Sequence, residues 1–390
     1  MLDNYHLNQL AEPLLVWFLD HARVLPWRER PEPYRVWVSE IMLQQTRVEA
    51  VKPYYERFLK ALPDAAALAA CPEDQLMKLW EGLGYYNRVR NMQKAAITVT
   101  EEYGGVLPAD YGKLLELKGI GSYTAGAIAS IAYGIPVPAV DGNVLRILTR
   151  VAADDTDIMK QSFRSAVEAQ LGSMMRDLTV PEGLRRALRD ENVPGALNQA
   201  MMELGATVCV PNGAPLCEEC PWNKMCLARA QGRMMDFPVK SKAKARRIEE
   251  RTVLVIRDGE KVAIRKRPKK GLLAGLYELP NLSGALSAKE VLSYMKEQQF
   301  APLRIEKLAD AKHIFSHIEW RMSGYAILVE EAGFAAEGEP EAGNGRTPEE
   351  KADGEGGLIF VDAWDARERY AIPSAFSAYA GYLKKEFDEE

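Results

Sequence analysis

The sequence has no apolar run long enough to cross a membrane. Gly134, Pro136 and Pro138 interrupt its most apolar stretch, whereas a membrane-spanning helix needs about 18 or more consecutive apolar residues. The N-terminal residues Met1–Asn4 also lack the basic start of a secretory signal peptide. These two absences predict a soluble, cytoplasmic protein that makes no contact with a membrane.

An excess of positive charge is also missing, although contacts to DNA phosphates need lysine and arginine. The 390 residues include 50 Lys and Arg against 55 Asp and Glu, which gives a formal net charge of −5. Residues 331–357 hold eight acidic and two basic residues, so this segment carries −6 and the remainder about +1. Composition therefore neither supports nor excludes a nucleic-acid partner.

Cysteine is scarce, yet four of the five cysteines lie within eighteen positions. Cys209, Cys217, Cys220 and Cys226 have the spacing C-x7-C-x2-C-x5-C. In a chain without a secretion signal, such a group is more typical of metal ligands than of disulfides. The two C-x2-C pairs that are typical of zinc sites are not both present, although zinc remains an alternative. Cys71 stands apart and is expected to be buried as a small apolar residue.

The length of the chain predicts two or three domains. We expect residues 1–230 to form an all-α domain, residues 231–250 a linker and residues 251–390 an α+β domain. The predicted helices of the first domain are Leu10–Ala22, Tyr34–Leu62, Glu73–Tyr85, Val89–Tyr103, Tyr111–Lys118, Ser122–Tyr133 and Val144–Val151.

Alternating apolar residues replace the helical pattern after Arg251. An Asp258-Gly259 turn between two such runs predicts a β-hairpin. A segment rich in glycine, glutamate and proline, Ala335–Gly357, predicts a mobile acidic loop. The predicted strands are Thr252–Ile256, Lys261–Ile264, Ile314–Met322 and Tyr325–Val329, with a helix over Ala288–Gln298.

A Gly-x-Gly turn between two predicted helices is a candidate site for a DNA phosphate. Gly119 and Gly121 can adopt positive φ at little steric cost, which turns backbone N–H groups outward at Ser122, where the next helix begins. Such a site binds phosphate without reading sequence. An ordinary helix-helix turn is the alternative.

An aspartate about twenty residues after this turn is a candidate for stabilising positive charge. Asp141 directly precedes the predicted helix Val144–Val151, so a role as helix N-cap is the simpler interpretation. The helix N-terminus would also favour the ionised carboxylate. An ionised carboxylate beside a sugar suits the oxocarbenium-like transition state of glycoside hydrolysis.

A glutamate in an apolar helix is a candidate general acid, which glycoside hydrolysis also needs to protonate the leaving group. Glu40 lies in the strongly apolar helical segment Trp37–Thr46, which predicts at least partial burial. Burial raises the pKa of a carboxyl group toward neutrality, as a general acid requires. A solvent-facing glutamate on an amphipathic helix is the alternative.

Four segments together resemble the motifs of MutY-type adenine DNA glycosylases, within the helix-hairpin-helix DNA glycosylase superfamily. They are Leu25–Arg28, Val38–Thr46, Gly82–Arg88 and Asn198–Gly205. The resemblance implies base excision repair of adenine mispaired with 8-oxoguanine or guanine, by hydrolysis with net retention. Superfamily members that also cut the DNA backbone carry a lysine where this chain has Tyr123, so the resemblance implies removal of the base alone.

The resemblance also implies roles for individual residues. Glu40 would protonate adenine at N7, Asp141 would stabilise the sugar cation, and Tyr123 and Asn143 would support the sugar and Asp141. Positions around the extruded adenine match Trp27, Arg28, Leu43 and Gln199, and positions near the opposite base match Gln45, Thr46, Leu83 and Tyr85. Tyr85 would act as a wedge that offsets part of the unstacking cost of base flipping.

The second domain is similar to the Nudix-like domain of the same family through Gly271–Pro280. A Nudix hydrolase needs a helix with clustered carboxylates, whereas the predicted helix offers only Glu290 and Glu297, so a recognition role is expected. Phe315, Ser316 and His317 match the family's motif for 8-oxoguanine, and the Ser and His side chains can both donate and accept hydrogen bonds.

The expected fold is therefore a helix-hairpin-helix domain, with its hairpin at about residues 111–133 and an iron-sulfur loop at residues 209–226, followed by a Nudix-like domain. Family precedent favours a [4Fe-4S] cluster on the four clustered cysteines, although the first interval is seven residues rather than the usual six. The expected partner is double-stranded DNA with 8-oxoguanine:adenine mispairs, bound by a monomer in the bacterial cytoplasm at the nucleoid. The alternatives are an endonuclease III-like glycosylase/lyase and a non-catalytic helix-hairpin-helix DNA-binding protein.

Overall fold

A computed structural model describes residues 8–241, 245–330 and 357–383. The chain divides into two compact units, one of Met1–Cys71 with Asn87–Ala243 and the other of Pro72–Tyr86 with Lys244–Glu390. Apart from Gly357, the predicted acidic loop Ala335–Gly357 lies outside the described residues. No helix within the described ranges is long and apolar enough to span a membrane.

All regular elements of the first unit within its described residues are helices. At its centre, α3 (Pro33–Leu43) and α13 (Val193–Thr207) pack against α9 (Ser122–Tyr133), and α13 also packs against α10 (Gly142–Ala152). Residues Thr124–Ile131 of α9 and Val144–Val151 of α10 are all buried. The helices are α1 (Asn8–His21), α2 (Pro26–Glu29), α3 (Pro33–Leu43), α4 (Val48–Ala61), α5 (Ala65–Ala70), α7 (Asn87–Tyr103), α8 (Tyr111–Glu116), α9 (Ser122–Tyr133), α10 (Gly142–Ala152), α11 (Gln161–Asp177), α12 (Glu182–Ala187), α13 (Val193–Thr207) and α14 (Leu227–Ala230).

Two predicted helices are shorter in the structure than the sequence pattern indicated. The prediction of one helix over Tyr34–Leu62 is wrong, because Gln45 has a φ of 61° and separates α3 from α4. The prediction over Glu73–Tyr85 is wrong in its second half, since α6 (Glu73–Leu79) ends before a turn in which Gly82, Gly84 and Tyr85 have positive φ. Apolar periodicity does not register a left-handed residue, so it runs through both turns.

The second unit contains a seven-stranded mixed sheet in the order β3-β2-β1-β6-β5, with β4 beside β1 and β7 beside β2. Among the strands that the structure describes, β1 and β6 form the one parallel pair. Apolar residues on the two faces of the sheet form separate cores. The elements are α6, β1 (Arg247–Asp258), β2 (Lys261–Lys266), β3 (Tyr277–Glu278), β4 (Asn281–Ser283), α15 (Ala288–Glu297), β5 (Pro302–Ile314), β6 (Ile318–Val329), β7 (Leu358–Asp362) and α16 (Ala363–Glu368).

The predicted hairpin at Asp258-Gly259 is confirmed, with Asp258 paired to Lys261. The predicted helix Ala288–Gln298 is also confirmed, as α15. The predicted break between Met322 and Tyr325 is wrong, because β6 is continuous there and β5 already ends at Ile314. Gly324 looks like a breaker in the sequence, but a Cβ at this position would lie 2.4 Å from Tyr379 Cε1. The glycine therefore allows a close approach between the strand and an aromatic ring.

Candidate active site

Glu40 lies at the buried face of α3, where every residue from Val36 to Met42 is buried. Its side chain accepts a 2.5 Å hydrogen bond from the Tyr123 hydroxyl. The pKa of Glu40 is raised to about 7. Burial is the largest cause, the bond from Tyr123 opposes it, and the nearby charge of Asp141 adds to it. Glu40 can therefore hold a proton near neutral pH, as a general acid must.

Asp141 is the N-cap of α10, as predicted. Its Oδ1 accepts from the Val144 backbone N–H at 2.7 Å, and its Oδ2 accepts from Asn143 Nδ2 at 2.6 Å. Burial raises the pKa of Asp141, while these donors and the charge of Arg146 lower it. The net direction is upward, opposite to the direction that the helix N-terminus alone would give. Asp141 nevertheless accepts from both Val144 and Asn143, whereas the carboxyl group of Glu40 accepts from Tyr123.

The structure separates Tyr123 from Asn143, which the resemblance placed together beside Asp141. Asn143 contacts Asp141, whereas Tyr123 contacts Glu40. Burial and the two carboxylates raise the pKa of Tyr123 well above its ordinary value, so this hydroxyl stays a donor. Each carboxyl group thus has its own supporting side chain.

Arg146, which was not predicted from the sequence, binds the amide oxygen of Asn143, whose amide nitrogen donates to Asp141. Its Nη2 donates to Asn143 Oδ1 at 2.8 Å and to the Gly205 carbonyl at 2.7 Å. Its Nε donates to the Cys209 carbonyl at 2.9 Å. Spacing along α10 shows that Asn143 and Arg146 are neighbours (i, i+3), but only the fold brings Gly205 and Cys209 to them.

Asn198 holds the loop that leads to Asp141. It is fully buried; its Oδ1 accepts from the Ala139 N–H, and its Nδ2 donates to Ser130 Oγ and to the Val137 carbonyl. Buried polar groups need such partners, so one side chain satisfies several groups of an irregular segment. The Asn198–Gly205 motif contained this signal, but its contacts lie about 60 residues away in sequence.

Glu40 and Asp141 line one cavity of about 700 Å³. The cavity therefore brings together the sequence-predicted acid, the predicted stabiliser and all four residues predicted to surround the adenine. The predicted residues that line it are Trp27, Arg28, Glu40, Leu43, Gln45, Thr46, Tyr123, Asp141, Asn143 and Gln199. Leu83 and Tyr85 belong to the second unit.

A third carboxyl group in this cavity, that of Glu203, was not predicted from the sequence. It accepts from Arg23 Nε at 2.6 Å and from Arg28 Nη2 at 2.8 Å, and its side chain is 1% exposed. Burial raises the pKa of Glu203, but the bonds and charges of these two arginines outweigh burial and lower it. Glu203 is therefore a permanent anion that fixes Arg28 at the cavity wall, rather than a second proton donor.

The predicted hairpin joins α8 to α9. Gly119 has a φ of 81°, whereas Gly121 is extended and is the N-cap of α9. The expectation of a left-handed residue thus holds at the first glycine only. A Cβ at Gly121 would meet no atom within 4 Å, so the backbone there faces open space where a phosphate could approach. Ser122 Oγ donates to Glu168 at 2.9 Å.

Two glycines of this region give a matched pair of expected effects. A Cβ at Gly126 would lie 2.1 Å from the Pro138 carbonyl oxygen, in the loop before Asp141. Gly126→Ala is expected to lower the free energy of unfolding by about 2–3 kcal/mol through this overpacking, measured by urea denaturation. Gly121→Ala should change stability by less than about 0.5 kcal/mol while weakening DNA binding. Equal stability of the two variants would contradict the assigned contact.

The four clustered cysteines lie on the segment that follows α13, and all four are partly buried. Within the described residues, no group of three or more Cys, His, Asp or Glu side chains has metal-binding geometry. The donor set still fits an iron-sulfur cluster in its chemistry, since all four side chains are thiols. Burial is the largest cause that raises the pKa of Cys220, and the charges of Cys209, Cys226 and Cys217 add to it. The thiols are thus near enough to affect one another. Cys71 is buried, as predicted.

In the second unit, Tyr85 and Ser316 meet although 231 positions separate them in sequence. Tyr85 Oη and Ser316 Oγ are 2.9 Å apart. Tyr85 is 50% exposed and left-handed, with a φ of 47°, whereas Leu83 is buried. Phe315 packs edge-on against Trp320, so its ring is partly covered.

Ser316 and His317 are exposed in the turn between β5 and β6. The two carboxylates of α15 lie apart from this turn in sequence. Glu290 forms a capping box with Ser287 at the start of α15, and Glu297 ends the helix.

Comparisons with known proteins match this architecture. The HhH-GPD superfamily base excision DNA repair protein family matches residues 38–171, and the NUDIX domain family matches residues 252–380. The adenine DNA glycosylase of Homo sapiens is 35% identical over 84% of this chain and 70% of that protein. That of Buchnera aphidicola subsp. Acyrthosiphon pisum is 30% identical over 81% of this chain and 85% of that protein.

A solved structure described as a thermostable thymine-DNA glycosylase aligns with 59% of this chain and all of that chain. Its TM-score is 0.50 at 24% identity, which is a likeness of fold alone. The predicted order of a helical glycosylase domain and a Nudix-like domain is confirmed by these matches. Because both domain families and relatives of 30–35% identity over most of its length agree, the chain belongs to the adenine DNA glycosylase family of helix-hairpin-helix base excision repair enzymes.

Proposed function

We propose that this glycosylase hydrolyses the N-glycosidic bond of adenine that faces 8-oxoguanine or guanine in duplex DNA. The observation that carries the proposal is a single cavity in which Glu40 is buried with a pKa of about 7 beside a hydrogen-bonded Asp141. Glu40 can then hold a proton near neutral pH, while the N–H donors of Val144 and Asn143 stabilise the ionised form of Asp141. Glycoside hydrolysis needs this division between an acid and a carboxylate.

In this mechanism the protonated Glu40 donates to N7 of adenine, which leaves as a neutral base rather than an anion. Positive charge grows on the sugar, and the carboxylate of Asp141 stabilises it through space or by transient bonding. Glu40, ionised after the transfer, then accepts a proton from the attacking water. Tyr123 donates to Glu40 and Asn143 donates to Asp141, so each carboxyl is oriented before the base arrives.

The cavity supports removal of the base without cleavage of the backbone. None of the described residues that line it is a lysine, and Tyr123 occupies the position beside Glu40. A lyase reaction needs an amine that forms a Schiff base with the sugar. A tyrosine hydroxyl whose pKa lies well above its ordinary value cannot replace that amine.

Cys209, Cys217, Cys220 and Cys226 would hold a [4Fe-4S] cluster, and the Asn212-Gly213 turn would absorb the extra residue in the first interval. When bound, the cluster supplies four fixed attachment points for the loop. Hydrolysis exchanges no electrons, so the cluster's contribution is structural. Arg150 Nη1 already lies 3.3 Å from Cys209 Sγ, which suits a residue beside a thiolate.

The exposed turn with Ser316 and His317 supports recognition of the base opposite adenine. Replacing Phe315, Ser316 and His317 with alanine is expected to reduce the preference for 8-oxoguanine over guanine about tenfold or more. The single-turnover rate on adenine opposite guanine should stay within about a factor of two. Because Phe315 packs against Trp320, a Ser316→Ala/His317→Ala variant serves as the control for folding. An unaltered preference would contradict the recognition role.

The defining experiment compares duplexes with a central adenine opposite 8-oxoguanine with duplexes that carry an oxidised pyrimidine. Strand breaks are scored with and without alkali. Adenine release with breaks only after alkali would support the proposal. Pyrimidine release with spontaneous breaks would instead identify an endonuclease III-like glycosylase/lyase, and binding without any release would identify a non-catalytic DNA-binding protein. Sedimentation of the complex tests the proposed monomer.

A further inference from the structure

The segment Pro72–Tyr86 is separated in sequence from the rest of the second unit, yet it is part of that unit. It carries α6 and, next to its last residue, Tyr85, whose hydroxyl lies within hydrogen-bond distance of Ser316. Two side chains at and just after the end of α6, Lys78 and Glu81, bind backbone groups in the remainder of the unit.

Lys78 uses its ammonium group to satisfy backbone carbonyls at the end of α16. Nζ donates to the carbonyl oxygens of Arg367 and Tyr370, the latter at 3.1 Å, and to Glu81 Oε2 at 2.5 Å. An ammonium group has three donors, and all three are used. Carbonyls at a helix C-terminus lack hydrogen-bond donors within the helix and carry partial negative charge. The ammonium group of Lys78 supplies both the donors and the positive charge.

The carboxylate of Glu81 binds both Lys78 and a backbone N–H of the same loop. Its Oε1 accepts from the Ile372 backbone N–H at 2.8 Å, while Oε2 binds Lys78. The side chains of Lys78 and Glu81 are only 22% and 27% exposed. Partly buried charge-assisted bonds are stronger and less screened by salt than an exposed ion pair.

Beyond their bond to each other, the hydrogen-bond partners of Lys78 and Glu81 are backbone carbonyl and N–H groups of residues 367–372. Substitutions in that loop other than proline at Ile372 leave these groups in place, so the specificity of the contact lies in the two side chains of the segment. A further ion pair joins Asp74 to Lys266 at 3.0 Å, but both side chains are more exposed, at 54% and 35%. This pair contributes less to the hold.

We propose that Lys78 and Glu81 are positioning residues for lesion preference. They fix Pro72–Tyr86 on the second unit so that the Tyr85 hydroxyl stays within hydrogen-bond distance of Ser316. Neither residue touches the cavity that holds Glu40 and Asp141. The inference rests on the proposed function, because it assumes that Ser316 takes part in telling 8-oxoguanine from guanine.

The test measures single-turnover adenine release and the dissociation constant on duplexes with adenine opposite 8-oxoguanine or guanine. Lys78→Met is expected to reduce the preference for 8-oxoguanine about tenfold, the loss expected for a charge-assisted hydrogen-bond pair. Release from adenine opposite guanine should stay within about a factor of two. The matched control is Lys52→Met, which removes another lysine paired with a glutamate three positions away, in the first unit.

A double-mutant cycle shows whether Lys78 acts through Ser316. In a Ser316→Ala background, Lys78→Met should have little further effect on preference, because the contact that it positions is already gone. Independent, multiplicative effects would overturn the inference. So would an unchanged preference in Lys78→Met, or an equal loss on both duplexes.

Glu81→Gln is a milder second variant, because its amide oxygen can still accept from the Ile372 N–H. It keeps the test valid if Lys78→Met fails to fold in a thermal unfolding scan, and a loss of about threefold in preference is expected. Failure of the proposed function looks different. In that case the wild-type chain shows no preference for 8-oxoguanine, or Ser316→Ala keeps the wild-type preference. If only the inference fails, the wild-type preference and its loss in Ser316→Ala are both observed, but the Lys78 and Glu81 variants keep the wild-type preference.

Discussion

Glu40→Gln is expected to lower the single-turnover rate of adenine release by about 10³–10⁴-fold, the upper part of the range for general acid catalysis. Glutamine keeps the shape and can still accept from Tyr123, but it cannot deliver a proton to the base. The rate should be measured with enzyme in excess over a duplex with adenine opposite 8-oxoguanine. Glu49→Gln, on the exposed face of α4, is the control.

The pKa of Glu40 also predicts the pH dependence of this rate. Since burial raises that pKa to about 7, the protonated form dominates below pH 7 and is lost above it. The wild-type rate should therefore fall as pH rises through about 7, and the residual rate of Glu40→Gln should not. A rate that rises with pH across this range would show that Glu40 acts first as a base.

Glu40→Gln should raise the stability of the folded protein although it lowers activity. Because the folded-state pKa of Glu40 exceeds the value of 4.5 expected when unfolded, ionisation in the folded protein costs free energy as pH rises from about 4.5 to about 7. Glu40→Gln removes that cost. The variant is expected to be more stable than the wild type by about 1–3 kcal/mol at pH 8, measured by urea denaturation.

Asp141→Asn is expected to reduce adenine release by about 10²–10³-fold, the size seen when one preorganised electrostatic contact to a transition state is lost. Asparagine is also a good N-cap, so α10 should keep its start, and DNA affinity should be retained. The measurement pairs the single-turnover rate with the dissociation constant for the same duplex.

A matched control exists for the capping role of Asp141. Asp110 is the N-cap of α8 and accepts from the Lys113 N–H at 2.8 Å, as Asp141 does at α10. Asp110→Asn should leave the rate unchanged. If Asp141→Asn also leaves turnover unchanged, Asp141 is an N-cap only and the stabilising role is wrong.

The parts of the site that could be predicted from sequence are those carried by local context. Burial of Glu40 followed from its apolar neighbours, and the N-cap position of Asp141 followed from the helix after it. The left-handed turn at Gly119 followed from glycine itself. Each depends on residues within about one helical turn, so pattern and propensity were sufficient.

The remaining parts depend on pairs of residues far apart in the chain. Glu203 and Arg23 lie 180 positions apart, and neither has a local pattern that reveals the other. Asn198 binds backbone groups, which all residues possess, so no side-chain signature marks its partners. The same reason hid the contact of Lys78 with the carbonyls after α16.

The buried carboxylate of Glu203 has a consequence for how ionic strength affects this enzyme. Its ion pairs with Arg23 and Arg28 line a cavity in which mobile salt ions screen little, since Glu203 is 1% exposed. Association with DNA, in contrast, releases counterions and weakens steeply between about 50 and 200 mM salt. Salt should therefore change how much DNA is bound and leave the rate within the bound complex almost constant, so that the two steps respond separately to one variable.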